Sequence, residues 1–81
     1  MHAYLERLRL EILKRGWAAR LCESGVGLTL HVRNPNESAL TETIGCEDGR
    51  FLWSWGQAIG LVSDVTGVAD RILHVLRDVS E

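Results

Sequence analysis

Eighty-one residues with 46% apolar content fit one small domain, near the size at which a single core only just suffices, since such a globule buries about 60% of its unfolded surface. Nine Lys and Arg against eleven Asp and Glu leave a net charge of −2 without a run of like charge, which advertises neither a polyanion-binding surface nor an acidic tail. No stretch reaches the roughly 18 apolar residues of a membrane span, and Glu6, Arg7 and Arg9 interrupt any signal-peptide core, so a cytoplasmic domain is expected.

From His2 to Arg15, Leu5, Leu8 and Ile12 recur at intervals of three and four, which predicts a helix with Tyr4 and Leu13 flanking its apolar side. Lys14 and Arg15 suit the negative end of the helix dipole, Glu11 and Arg15 are spaced for an ion pair, and Gly16 supplies a left-handed cap. Leu10 falls on the face that should be wet and is a candidate partner contact.

Trp17 to Glu23 alternates Trp17, Ala19 and Leu21 with Ala18, Arg20 and Cys22, which predicts a first strand. Ser24-Gly25-Val26-Gly27 is turn material, and Leu28, Leu30 and Val32 then alternate with Thr29, His31 and Arg33 in a second strand. Asn34-Pro35-Asn36-Glu37 ends it, and a threonine-rich strand over Leu40 to Cys46 follows with its register open, because Glu42 shares a face with Leu40, Ile44 and Cys46. Glu47-Asp48-Gly49 turns the chain into Arg50-Phe51-Leu52-Trp53-Ser54-Trp55, where three rings alternate with smaller side chains as in a strand with one aromatic face.

Gln57 to Val62 fits either a continuation past a glycine bulge or a loop. Ser63 or Asp64 is a suitable N-cap for a helix whose stripe is Val65, Val68, Ala69, Ile72, Leu76 and Val79, widened by Leu73 and Val75, with Asp70, Arg71, His74 and Asp78 opposite. Gly67 in its first turns implies a start near Val68 or a close approach to the sheet. The expected fold is α+β: a single domain over residues 1–81, a two-layer α/β sandwich with a four-stranded antiparallel meander and both terminal helices on one face.

The ending Phe51, Trp53-Ser54-Trp55-Gly56, Gln57-Ala58-Ile59-Gly60 and the Ala69-to-Arg77 helix resembles small stand-alone proteins of unassigned function in high-GC Gram-positive bacteria. The likeness runs from about Leu13 to Arg77 and implies a compact intracellular domain without catalytic residues to transfer. The element order is also similar to frataxin-like and secretion-chaperone-like folds, although the first helix mixes Glu6 and Glu11 with four basic residues and has no acidic ridge.

Rings at strand spacing serve a core more often than a stacking platform, so Phe51, Trp53 and Trp55 are expected beneath the helices. The outward sheet face then carries Arg20, His31, Arg33 and Arg50, a candidate surface for an acidic partner or a phosphate backbone. Cys22 and Cys46 read as two small buried hydrophobes. His2, His31 and His74 lack ligand spacing, and Asp70 with His74 lacks a nucleophile, so no metal, cofactor or enzymatic activity is expected. The functional expectation is a protein-interaction or regulatory module, a homodimer by default, binding a protein partner through a helix face or sheet edge, with Leu10, Arg20, His31, Arg33 and Arg50 as candidate contacts. A nucleic-acid-associated regulator is the alternative, disfavoured by the charge balance.

Overall fold

The computed structural model describes residues 2–25 and 27–77, without the side chains of His2, Ser24 and Ser38; Val26, Asp78 and Val79 of the readings above lie outside the described residues. Helix α1 spans His2–Lys14, and strands β1 Ala18–Ser24, β2 Gly27–Asn34, β3 Glu37–Glu47, β4 Arg50–Leu52 and β5 Ala58–Leu61 follow before helix α2, Val65–Leu76. The strands pair antiparallel in the order β1-β2-β3-β4-β5. The expected α+β architecture with an open meander is present, and the Gln57–Val62 stretch contributes a fifth strand to it.

Leu5, Leu8 and Ile12 of α1 and Val68, Ala69, Ile72 and Leu76 of α2 bury against Leu30, Val32, Ile44, Phe51 and Ile59 of the sheet. Both helices therefore cover one face, and the other is bare. Leu13, expected to flank the core, is 39% exposed, and Val75 is 54% exposed.

Helix α1 ends in a Schellman arrangement: the Trp17 amide donates to the Ile12 carbonyl at 3.2 Å and the Gly16 amide to the Leu13 carbonyl at 2.9 Å. Gly16 makes it possible at φ 85°, a conformation that side-chain-bearing residues rarely adopt. Helix α2 begins at Val65, capped by Asp64, whose carboxylate accepts from the Gly67 amide at 3.1 Å. A Cβ on Gly67 would collide with that carboxylate, so this glycine accommodates the cap; it marks neither a late helix start nor a contact with the sheet. The close approach to the sheet is at Gly60, where an added Cβ would stand 2.9 Å from Val68 Cγ2 and 2.6 Å from Arg71 Nη1.

Register removes the ambiguity in β3. Glu42 lies opposite Val32 and Ile44 opposite Leu30, which assigns Glu42 to the helix side and leaves Thr41 and Thr43, opposite Arg33 and His31, on the bare face. At the far edge, Phe51 faces Gly60 and Leu52 faces Ala58, so Ile59 is an extra residue in a bulge.

The Trp-Ser-Trp stretch departs from expectation. Strand β4 stops at Leu52, and the chain turns through 53–57 with the Trp53 amide donating to the Gln57 carbonyl and the Gly56 amide to the Trp53 carbonyl, both at 2.9 Å. This turn, with Ser54 and Trp55 at its centre and Gly56 leaving it at φ 97°, breaks the strand alternation that would have brought Trp55 back to the core side. Phe51 and Trp53 are buried, Trp55 is 58% exposed, and Ser54 donates to Glu42 at 2.9 Å instead of lying on the bare sheet face.

Candidate functional site

Most cations of the helical layer have a partner, and Arg7 is the exception among the described residues. On the helical side, Arg9 donates to Glu6 at 2.6 Å, Lys14 and Arg15 approach Glu11 at 3.4 and 3.0 Å, Arg15 reaches Asp70 at 2.7 Å, and Arg71 lies 4.0 Å from Asp64. Arg77 donates to the His74 carbonyl. The hydrogen bond from Arg9 lowers the Glu6 pKa, and the one to Asp70, followed by that to Glu11, raises the Arg15 pKa. Arg15 thereby ties the end of α1 to α2.

Arg20, His31 and Arg33 have no side-chain hydrogen bond or ion pair to another described residue. Arg20 lies opposite His31 and Arg33 opposite Ala18, so the three occupy adjacent positions on two paired strands. With Ala18, Ala19 and Thr41 they frame a shallow hollow of about 330 Å³ on the bare face. The Thr41 hydroxyl donates to the Val32 carbonyl at 2.9 Å, which leaves guanidinium and imidazole groups as the side-chain donors facing the hollow.

Arg50 and Leu10, the remaining candidate contacts, are elsewhere. Arg50 faces Glu47, six residues along β3 from the Thr41 that faces Arg33, a separation of about 20 Å at strand rise. Leu10 is 53% exposed on α1, in the helical layer. The five residues thus resolve into a cluster of three and two isolated positions.

A second concavity, of about 400 Å³, lies between the 53–57 turn, β5 and the outer side of α2. Trp53, Ala58, Ile59 and Val75 give it apolar walls, and Gln57, Asp70, Arg71 and His74 a polar rim. Trp53 and Trp55 stack beside it with centroids 5.1 Å apart and planes 7° from parallel. The Trp55 indole N–H donates to the Gln57 side-chain carbonyl at 3.1 Å, which fixes the outer ring despite its exposure. Arg71 donates to the Ile59 carbonyl at 3.1 Å, engaging a backbone acceptor of the edge strand.

Asp70 and His74 both line this concavity, but the Asp70 carboxylate is held by Arg15, and no hydroxyl or thiol is among the lining side chains. Among the described residues no group of three potential ligands could hold a metal ion. The cysteines are free and half-buried, less enclosed than expected; Cys22 lies on the bare face opposite Thr29, and Cys46 on the helix side opposite Phe51. Burial pushes the Cys46 thiol pKa up, which keeps it protonated and a poor nucleophile.

The Trp concavity was not legible as a site because the aromatic alternation reads as strand throughout. The available signals were local: Gly56 and Gln57 directly after the second tryptophan mark a turn, and Val75 sits at the margin of its helix's apolar stripe. Comparison with protein-family models, with curated proteins and with solved structures finds no match for this chain.

Proposed function

We propose that the chain is a small intracellular interaction module without catalytic activity, which seats an aliphatic or aromatic side chain of a protein partner in the concavity between Trp53, β5 and α2, with Trp55 packing on it from beside Trp53. The observation that carries this reading is the exposed Trp55, stacked on the Trp53 that lines an apolar hollow and bonded to Gln57 at its rim. A fixed aromatic anchor beside a pocket with a polar rim has the anatomy of an interface hot spot, and burying Trp55 costs little side-chain entropy because its rotamer is already held. Val75, 54% exposed on the same concavity, extends the apolar area. A second copy of the chain is one partner that this surface fits, and the homodimer is proposed on that footing.

Affinity capture from cell extract with the wild type and with a Trp55→Ser, Val75→Asp variant tests the reading, because both side chains are exposed and the variant should keep the wild-type circular dichroism and Tm. A partner retained at least about tenfold better by the wild type is the expected result. Equal retention by both proteins, or none by either, overturns it. Light scattering over a concentration series decides the dimer separately: a mass equal to one chain at the highest concentration removes it.

A further inference from the structure

The bare sheet face carries a hollow of its own, apart from the Trp concavity. Its basis is convergence: Arg20, His31 and Arg33 line one hollow with no side-chain hydrogen bond or ion pair to another described residue, whereas the cations over the helices, Arg7 excepted, are engaged by carboxylates or by a carbonyl. Arg20 and Arg33 place like charges on adjacent strands, an arrangement that favours an anion between them. The neighbouring carboxylates make no ion pair with the cluster: Glu42 is on the helix side and bonded to Ser54, and Glu37, opposite the Asn34 that follows Arg33, accepts from the Ala39 amide.

Size and charge narrow the ligand. The whole chain is net negative, so its long-range field does not collect polyanions, and attraction is confined to the immediate neighbourhood of the two guanidiniums. Arg50, on β4 opposite Glu47 and four residues of β3 beyond the Thr43 that faces His31, about 13 Å at strand rise, does not continue the cluster into a track for a phosphate backbone. Two arginines and a histidine instead match one compact, doubly charged oxyanion, since guanidinium forks bind phosphate oxygens in a bidentate manner. The hollow of about 330 Å³ falls at the small end of small-molecule sites, and the small side chain of Ala18, opposite Arg33, leaves space for an organic group next to the anion.

We infer that this hollow binds the terminal phosphate of a small phosphomonoester, clamped by Arg20 and Arg33 with His31 as a third donor. Amide chemical-shift titrations with adenosine 5′-monophosphate, with inorganic phosphate and with a single-stranded oligonucleotide test it. The expected result is saturable shifts confined to residues 18–20, 31–33 and 41, with the monoester bound several-fold more tightly than inorganic phosphate. Arg20→Gln with Arg33→Gln should weaken the monoester by at least about tenfold, and Arg50→Gln should leave it unchanged. Absence of saturable shifts up to about 10 mM monoester overturns the inference. Equal affinity for phosphate and monoester, or oligonucleotide binding that is tighter, strongly salt-dependent and weakened by Arg50→Gln, overturns it in favour of a free-phosphate site or a polyanion surface respectively. Because Trp55 takes no part, a Trp55→Ser variant should titrate as the wild type does.

Discussion

Asn34 is the one fully buried polar residue among those described, at 3% exposure, and its amide is satisfied from both sides. Its Nδ2 donates to the Leu76 carbonyl at 2.8 Å, and its Oδ1 accepts from the Asn36 amide at 2.8 Å. One side chain thus shapes the β2–β3 turn and engages a terminal carbonyl of α2, 42 residues later. Asn34→Ala should cost about 2 kcal/mol, seen as a fall in Tm of roughly 10 °C with little change in denaturant slope. Asn34→Asp should cost more, because it presents a carboxylate where a carbonyl and the negative end of the helix dipole need a donor. In the sequence Asn34 is legible as a turn former and no more, since local patterning carries no information about a partner so far along the chain. Trp55 fails for a different reason: period-2 alternation specifies a face only while the strand lasts, and Gly56 with the Gln57 hydrogen bonds ends it.

At the level of elements, the bulge at Ile59 brings two consecutive residues, Ile59 and Gly60, towards α2, where Ile59 fills the core and Gly60 leaves room for Val68 and Arg71. Arg71 can swing away from an added methyl group, but Val68 is fully buried and cannot do so without moving the helix. Gly60→Ala should therefore destabilise by about 2 kcal/mol in urea titrations. Combined with Val68→Ala, its cost should fall short of the sum of the single costs by about 1 kcal/mol; strict additivity would mean that the contact is not the cause. Both helices were legible because the apolar stripe recurs at helical spacing and capping residues stand at the ends. The short strand β5 was not, because four residues that include a glycine carry too little alternation to separate a strand from a loop. The register of β3 was also hidden, since Glu42 looks misplaced among apolar neighbours until Ser54 is seen to donate to it.

Across the whole molecule, the two layers play different electrostatic parts. The helical layer is largely self-neutralised through Glu6, Glu11, Asp64 and Asp70, while the bare face leaves its charges open, a division that net charge alone conceals. Fold class and layer order followed from the sequence because short connections permit only a meander, but a concavity built by a turn against a helix follows only from their packing. The meander also sets an order in time. Every sheet contact joins neighbouring strands and closes a short loop, whereas α1 meets α2 only across almost the full length of the chain, through pairs such as Arg15 and Asp70, 55 residues apart. The hairpins should therefore be native-like at the folding barrier and the second helix should dock after it. In stopped-flow chevrons, Ile44→Val should act mainly by slowing folding, with φ above about 0.5, and Ile72→Val mainly by speeding unfolding, with φ below about 0.3. The sheet face that carries the open charges would then be assembled before the helix that walls the Trp concavity.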